Sequence, residues 1–355
     1  MHQVMIRPAD YTAVQEVVER VFQRFPLDCS DKRVVIKPNV LRASQATEGI
    51  VTHPAVLRAV VEKVESLGPA SLVVGDNPGL FSYGANEAAF EQTGLMAAAG
   101  GHYRNIGLDG VPVPFRREYL DTVTVPRAII EADILISLPK FKTHGLTVMT
   151  GAIKNSYGIL PGAQKARLHK IAGSPARFHE LVVAVYQLRV PDLFIVDAVV
   201  GMQGNGPASS DLRDIGLILA GDNGVAVDAV IATMMGVDPG RLGFLRQAAA
   251  EGLGSWRRED IHIDGALSPI PDFQLPPLGG EALQNNAAVQ EMLESKSRLM
   301  PRVDPDGCTG CGTCVEQCPA EALTLVDAFP EVDMTRCVTC FCCQEMCPEK
   351  VMHLV

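Results

Sequence analysis

The sequence predicts an α/β protein whose body contains a mainly parallel sheet, followed by a small C-terminal α+β domain. Two observations support this prediction. Apolar runs alternate with helical patterns over residues 1–265, which is typical of strands and helices that follow one another along a chain. Nine of the ten cysteines lie between Cys308 and Cys347, so the C-terminal end is a different kind of unit.

Five apolar runs in the body are predicted to be buried strands that end in polar or glycine turns. They are residues 33–40, 71–77, 132–140, 192–201 and 215–223. The stretches 53–68 and 224–237 have the amphipathic pattern of helices. Ligands of such sheets bind beyond the carboxyl ends of the strands, so polar residues at those ends are candidates for a binding site.

Residues 268–280 are rich in proline and have no periodic pattern, which predicts a linker. The stretch 281–300 has the pattern of a connecting helix. We therefore expect three parts. They are an α/β domain over 1–265, a linker and connecting helix over 266–300, and a cysteine-rich domain over 301–355.

The composition, with 47% hydrophobic and 20% charged residues, is that of a globular protein. No run of apolar residues is long enough to predict a membrane span, and the first residues lack the apolar core and cleavage site of a signal peptide. The net charge of −10 does not indicate a nucleic-acid-binding protein. We expect a cytoplasmic protein that has neither a membrane nor a nucleic acid as its partner.

Two segments near the C-terminus align without gaps, CTGCGTCVEQCP (308–319) and CVTCFCCQEMCP (337–348). Each has the spacing C-x2-C-x2-C-x3-C-P, in which three cysteines hold one 4Fe–4S cluster and the fourth binds the other cluster. The spacing predicts one cluster on Cys308, Cys311, Cys314 and Cys347, and a second on Cys337, Cys340, Cys343 and Cys318. Residues 301–355 thus resemble the bacterial-type two-cluster ferredoxins, which transfer single electrons.

Cys342 is a fifth cysteine in the second motif. The alignment places it opposite Thr313, which is not a ligand position, so we predict a free thiol that packs or donates a weak hydrogen bond. Zinc is the alternative metal, but zinc sites usually contain two C-x2-C pairs and lack the full cysteine run. Disulfide bonds are disfavoured because the chain is long and has no signal peptide.

A segment without any Asp or Glu extends over the 46 residues from Ile134 to His179 and carries seven Lys or Arg and three His residues. This positive charge is suited to an anionic ligand such as a carboxylate, a phosphate or a nucleotide. The alternatives are a solvated basic face or a dock for the acidic cysteine-rich domain. Our candidate ligand-binding residues are Lys37, Asn39, His53, Asp76, Lys140, Lys142, His144, Lys154, Asn155 and His169.

The cysteine-rich domain carries nine acidic and three basic residues over 301–355, a net charge of −6. Because the acid-free segment is its electrostatic complement, we expect the domain to pack near that segment, with a ligand cleft between them. The residues expected to line this cleft are Lys140, Lys142, His144, Lys154, Asn155 and His169.

Several motifs of the body occur in the order expected for one family. They are VVIKPNV (34–40), VTHP (51–54), LPKFKTHGLTVMTGAIKNSYGILPGAQKARLH (138–169), DAVVGMQGNGP (197–207) and AGDNGVAVDAV (220–230). With them the sequence resembles the family named domain of unknown function 362, whose members often carry a C-terminal two-cluster ferredoxin module. The resemblance covers nearly the whole chain and implies an uncharacterised Fe–S center protein. It implies no particular reaction.

Three functions remain open at this point. The first is a cytoplasmic iron–sulfur redox protein that passes electrons from a redox partner protein, through two 4Fe–4S clusters, to an anionic small molecule or cofactor bound by the α/β domain. Such a chain would be a ferredoxin-domain oxidoreductase. The second is a dedicated electron carrier whose α/β domain docks a partner protein and has no catalysis of its own. In the third the clusters are structural. The body contains no dinucleotide fingerprint, P-loop or nucleophile elbow that would indicate another chemistry.

Overall fold

The structure is a computed structural model, and it describes residues 1–79, 84–276 and 300–354. The strands of the body are β1 His2–Pro8, β2 Arg33–Pro38, β3 Ser71–Val74, β4 Gly110–Pro114, β5 Thr122–Pro126, β6 Ile134–Leu138, β7 Lys140–His144, β8 Val148–Met149, β9 Leu193–Met202, β10 Leu212–Gly221 and β11 Ile261–Asp264. Its α-helices are α1 Val14–Arg24, α2 Pro54–Ser66, α3 Ala85–Gln92, α4 Leu95–Ala98, α5 Arg127–Ile130, α6 Gly151–Asn155, α7 Gly162–Ala172, α8 Pro175–Leu188, α9 Gly224–Met234 and α10 Gly243–Ala250. None of the helices in the described ranges is long and apolar enough to cross a membrane.

A nine-stranded sheet forms the centre of the body, with the strand order β11-β1-β10-β9-β6-β2-β3 and with β7 and β8 attached beside β9. The pairs β2–β3, β2–β6, β6–β9, β7–β9 and β1–β11 are parallel. Strand β10 runs antiparallel to both β1 and β9. The prediction of a mainly parallel α/β body is therefore confirmed. The sequence prediction missed β1 and β11, which are short and only partly buried.

Pro139 divides the predicted strand 132–140 into two. Before it, β6 pairs with β2 and with the start of β9. After it, β7 pairs with the middle of β9, where Lys140 lies opposite Asp197. Proline has no N–H to donate to a strand ladder, so the ladder breaks at this residue. The break turns β7 and the following loop over the carboxyl end of the sheet, where the candidate residues lie.

The core consists of two apolar layers, one on each face of the sheet. On one face, α8 and α9 bury Phe178, Tyr186 and Ile231. On the other face, α1 and α2 bury Val18 and Leu57. Full burial of side chains of this size contributes about 1.5–3 kcal/mol each, so the two layers fix the sheet on which the site is built.

The predicted linker begins as part of the packed body. Within residues 268–276, Ile270, Phe273 and Leu275 pack against the core, and the N–H of Ile270 donates to the carbonyl of Met234 at 2.7 Å. These apolar side chains explain why the stretch packs although it contains several prolines. The remainder of the predicted linker and the connecting helix predicted over 281–300 lie outside the described residues, apart from residue 300.

Residues 300–354, called the C-terminal module below, form a small α+β unit. Its elements are β12 Pro301–Val303, α11 Thr313–Glu316, β13 Leu323–Val326, β14 Phe329–Val332, α12 Cys342–Met346 and β15 Met352–Leu354. Strand β12 pairs with β15, and β13 pairs with β14, both antiparallel. Each cysteine motif forms a loop followed by a one-turn helix, so the module is an internal duplication.

The two cysteine loops share one backbone conformation. Gly310 and Gly312 have φ values of 66° and 77°, and the equivalent Thr339 and Phe341 have φ values of 49° and 62°. The left-handed region is easy for glycine and costs a residue with a Cβ roughly 1 kcal/mol or more. The second loop therefore accepts strain that the first loop avoids.

Phe341 is the reason for this exchange, because it inserts into the core of the body. Its side chain is 2% exposed and belongs to the same apolar cluster as Leu160 and Phe178. Polar contacts surround it. The Gln344 side chain donates to the carbonyl of Asn205 at 2.7 Å, and Lys350 forms an ion pair with Glu48 at 2.9 Å. The module is thus fixed to the body by its second motif.

Lys140 and His53 belong to a buried network that ties β7 and α2 to β9. The Lys140 amine donates to Asp197 at 2.8 Å and to the Tyr11 hydroxyl at 3.0 Å. The backbone N–H of His53 donates to the same carboxylate at 2.8 Å, and the His53 ring stacks on Tyr11 with centroids 3.6 Å apart. The His53 ring nitrogen also caps α2 by accepting from Ala55. The described contacts of these two residues hold the fold together.

We expect Lys140→Met to destabilise the protein by about 3–5 kcal/mol, because it leaves the Asp197 carboxylate buried without its cation. The free energy of unfolding, obtained from urea titration, measures this loss. Lys32→Met, at an exposed lysine, is the matched control and should change it by less than about 0.5 kcal/mol. A similar small effect in both variants would show that the buried pair is not what holds β7 on β9.

Candidate functional site

A cavity lies where α12 of the C-terminal module meets the body. It encloses about 690 Å³, part of it open to solvent. The body contributes residues after β2 and β3, the end of β7, and α6 and α7, and the module contributes α12 and Gln317. The lining residues are Asn39, Val40, Leu41, Asp76, Asn77, Gly79, Lys142, His144, Thr150, Lys154, Asn155, Tyr157, Gly158, Lys165, Ala166, His169, Pro207, Gln317, Cys342, Glu345 and Met346.

Three lysine amines reach this cavity. Lys142 donates to the carbonyl of Ile50 at 2.6 Å, and Lys165 donates to the carbonyls of Asn77 and Pro78. Burial lowers the pKa of each of these two amines to about 7. Lys154 differs because its amine lies over the rings of Tyr157 and Phe178, 4.8 Å and 5.5 Å from their centroids. No carboxylate within the described ranges lies within ion-pair distance of it, and burial lowers its pKa.

His144 and Glu345 form the contact between the body and α12 inside the cavity. The Nδ1 atom of His144 accepts from the backbone N–H of Leu146 at 3.1 Å, so the proton lies on Nε2. That Nε2 is 3.1 Å from a Glu345 carboxylate oxygen, yet neither atom has a well-aligned hydrogen-bond partner. Burial lowers the pKa of His144 to about 4. Burial opposes ionisation of Glu345, but His144 and Lys154 outweigh it and hold its pKa at about 2. At neutral pH the contact therefore joins a neutral imidazole to a carboxylate.

Several buried polar atoms of the lining residues have no hydrogen-bond partner among the described residues. They are Asn39 Oδ1, His144 Nε2, Thr150 Oγ1, both ring nitrogens of His169, Gln317 Oε1 and Glu345 Oε1. Leaving a buried polar atom unpaired costs about 1–3 kcal/mol, and most buried polar atoms are therefore paired. His169 is 6% exposed and packs between Tyr157 and Phe178, so its ring is held in place without a polar partner. This concentration of unpaired donors and acceptors is what a binding site for a polar ligand requires.

Behind the cavity wall, Lys37 and Asp76 form a buried ion pair at 2.7 Å. Lys37 also donates to Asn155 Oδ1 at 3.3 Å, and the Asn39 side chain donates to the same oxygen at 3.1 Å. Gly158 lies directly over the pair, because a Cβ at this position would be 2.4 Å from Asp76 Oδ1. The network therefore sets the position of Asn39 and Asn155 at the cavity surface.

The structure brings seven of the ten candidate residues together at one cavity. Asn39, Asp76, Lys142, His144, Lys154, Asn155 and His169 line it. Lys37 lies behind its wall. His53 and Lys140 lie in the separate network at Tyr11 and Asp197, so Lys140 does not take the position expected for it in the cleft.

Two smaller cavities in the module are each lined by four of the predicted cluster ligands. Cys308, Cys311, Cys314 and Cys347 line one of about 350 Å³, and Cys318, Cys337, Cys340 and Cys343 line one of about 320 Å³. Each cavity thus takes three cysteines from one motif and one from the other. Four thiolates around one space is the donor set of a 4Fe–4S cluster. The backbone N–H of Thr339 donates to the Cys337 sulfur at 3.4 Å, and that of Ala322 to the Cys318 sulfur at 3.3 Å. The residues present therefore fit a cluster in each cavity.

Cys342 lines two cavities, the large one and the one formed by Cys318, Cys337, Cys340 and Cys343. Its thiol is buried, and its contact with the neighbouring Cys340 raises the pKa of Cys342 well above the ordinary value. Cys342 is therefore a protonated thiol that separates the two cavities by the thickness of one side chain.

Sequence reasoning did not select Glu345 or Thr150. Glu345 had a misleading counterpart, because Glu316 occupies the same position of the first motif and is exposed. Only the docking of α12 distinguishes the two glutamates. Thr150 follows β8 in the acid-free segment and carries no charge, so the charge pattern gave no reason to choose it.

Comparisons with known proteins agree with this architecture. The family model described as domain of unknown function (DUF362) matches residues 34–233, more than half of the chain, and the model of a 4Fe-4S dicluster domain matches residues 300–348. The thylakoid-associated protein sll1697 of Synechocystis sp. is 32% identical over 230 residues, which cover 62% of this chain and 68% of that protein. A crystal structure of a Thermotoga maritima protein has 12% identity and a TM-score of 0.37, and the match covers 55% of this chain and 52% of that one. The match thus spans about half the length of the Thermotoga protein, and a likeness at this level supports no argument about function.

The first of these matches confirms the family that the body motifs resemble, and the second confirms a 4Fe–4S ferredoxin-type domain, which indicates iron–sulfur electron transfer. The chain therefore belongs to the DUF362 family and carries a cluster-binding 4Fe–4S ferredoxin-type domain on its C-terminal side.

Proposed function

We propose that this protein is an iron–sulfur redox protein in which electrons pass through two 4Fe–4S clusters to an anionic small molecule or cofactor bound in the large cavity. One observation carries the proposal. Cys342 lines both this cavity and the cavity of the second cysteine set, so a bound molecule and a cluster would be neighbours. The two sets of four cysteines support a count of two clusters.

The clusters would supply one-electron transfer when bound. The roles of the side chains follow from their environment. Lys154, which has no carboxylate partner among the described residues, would hold the negative charge of the ligand. Thr150 and His169 would hydrogen-bond its polar atoms, since their own are unpaired. His144 would present an N–H from a ring fixed by the Leu146 backbone.

The alternative of a dedicated electron carrier is less well supported by the geometry. A body that serves only to dock a partner would need a surface, and it would gain nothing from buried unpaired polar atoms beside a cluster cavity. The same observation disfavours purely structural clusters. A reaction, a substrate and a redox partner protein all remain proposals, and the following experiments test the parts separately.

We expect about eight iron and eight acid-labile sulfide per chain after anaerobic purification, following the spacing of the cysteines. Cys343→Ser should reduce the iron content, because Cys343 lines the second cysteine cavity. Cys342→Ser is the matched control at the adjacent position and should leave the iron content unchanged. Iron loss in Cys342→Ser but not in Cys343→Ser would assign the ligands to the wrong register.

We expect sulfate, used as a probe for an anionic ligand, to raise the melting temperature of the protein and to bind in the cavity. Lys154→Gln should weaken binding about tenfold, equivalent to ~1.4 kcal/mol, because it removes the unpaired cation. Lys32→Gln, at an exposed lysine, should bind as the wild type does. Binding is measured by calorimetry. If carboxylate, phosphate and sulfate probes all bind equally well to both variants, the cavity is not the anion site.

Sulfate affinity should fall as the pH rises through 7. The pKa values of Lys142 and Lys165 are lowered to about 7 by burial, and a bound anion favours their protonated forms. Below pH 7 both amines already carry a proton and the affinity should be flat, whereas above it each coupled proton weakens binding by up to about tenfold per pH unit. Charged groups facing these amines are Lys37, Asp76, Lys140, Lys154 and Glu345. Since sulfate does not titrate in this range, an affinity that rises with pH would contradict the assignment.

A further inference from the structure

The exposed apolar side chains of the protein are concentrated at the tip of one hairpin. Five large apolar residues are exposed in the described part of the chain, Met1, Leu108, Leu325, Val326 and Phe329. Three of them lie within five residues of the β13–β14 hairpin, with exposed fractions of 42%, 43% and 38%. Isolated exposed apolar residues are ordinary, but a cluster at a protruding turn indicates a contact surface.

The hairpin tip lies against the first cysteine loop. Asp327 and Ala328 form its two-residue turn with φ values of 47° and 68°, which is the backbone of a type I′ turn. The carbonyl of Ala328 approaches so closely that a Cβ on Gly310 would be 2.9 Å from it. Leu325 lines the cavity of Cys308, Cys311, Cys314 and Cys347 and is also partly exposed. The tip therefore connects the solvent with the wall of this cavity.

The two cysteine cavities differ in their access to solvent. Cys311 of the first set is exposed, whereas Cys343 of the second set is buried and its neighbour Phe341 is inserted in the body. A protein partner could therefore reach the module at the hairpin tip and not at the end where α12 is docked.

The surroundings of the tip are acidic. Asp327 lies in the turn itself, Glu331 lies opposite Thr324 on the next strand, and both are exposed and make no ion pair with a described residue. Two of the three basic residues of the module are occupied elsewhere, Arg336 with Glu321 and Lys350 with Glu48. An apolar contact with an acidic margin attracts and orients a partner that has a basic margin.

We propose that the β13–β14 tip is the docking surface for a redox partner protein that presents an apolar contact ringed by Lys or Arg around its own electron-donating group. One electron would leave the partner, which is oxidised, and reduce the module by one electron, and no covalent bond would form or break. This inference rests on the proposed function. It adds the place at which electrons enter, opposite the cavity at which they are used.

The test measures binding, which does not require turnover. The probe is ferric cytochrome c, a small haem protein whose haem edge is surrounded by lysines, titrated calorimetrically into the full chain with its clusters at low ionic strength. Phe329→Ser should weaken binding about tenfold, which corresponds to ~1.4 kcal/mol. Leu108→Ser, at a residue that is 81% exposed on the body, is the matched control and should bind as the wild type does. Asp327→Asn combined with Glu331→Gln should reduce the dependence of the dissociation constant on salt.

Iron content and melting temperature of each variant show whether the fold is retained, and Val326→Ser provides a second variant on the outer face if Phe329→Ser loses iron. Equal binding by Phe329→Ser, Val326→Ser and Leu108→Ser would overturn the proposal. It would also be overturned by sedimentation showing a dimer that Phe329→Ser dissociates, or by binding to phosphatidylcholine vesicles that Phe329→Ser abolishes. Because no ligand of the large cavity takes part, the result does not depend on sulfate binding there, and either proposal can fail without the other.

Discussion

The insertion of Phe341 into the core of the body is the interaction on which the site depends. It fixes α12, and α12 brings Cys342 and Glu345 to the wall of the large cavity. The insertion requires a phenylalanine in a left-handed backbone conformation, where the first motif has a glycine. Burying an aromatic side chain offsets this strain, because the transfer of such a side chain from water is worth about 1.5–3 kcal/mol. Without this contact the cavity would lose one of its walls.

The second constraint is the burial of positive charge. Lys142 and Lys165 satisfy their amines with backbone carbonyls, and Lys154 rests on two aromatic rings. Backbone carbonyls and ring faces supply partial negative charge and no full counter-ion, so the cavity remains electrostatically positive. A buried carboxylate beside each lysine would have neutralised it, as Asp76 does for Lys37 and Asp197 does for Lys140. The body thus contains two kinds of buried lysine, one paired for structure and one left available.

Much of the fold could be predicted from the sequence, because the buried strands of a parallel sheet are continuous apolar runs. The cysteine spacing likewise identified the C-terminal domain, which the family comparison confirms. What the sequence could not distinguish was the role of individual residues. Lys140 and Lys142 are two positions apart in one acid-free segment, yet one belongs to a paired network and the other lines the cavity. Glu316 and Glu345 are equivalent in the two motifs, and only tertiary docking separates them. Charge pattern reports the neighbourhood of a residue, whereas its role depends on the partner that the fold brings to it.

The exchange of one cysteine between the two motifs has a mechanical consequence. Cys347 lines the cavity of the first loop and Cys318 that of the second, so the two halves of the duplicated module are interlocked at both ends. If each set of four holds a cluster, the clusters act as two crosslinks that close overlapping loops of the chain, and removal of either one frees both halves. Helix α12 belongs to one of these halves and also forms a wall of the cavity in the body. Damage by oxygen at the exposed Cys311 side would therefore be transmitted, as a loss of rigidity, to a pocket at the other end of the module.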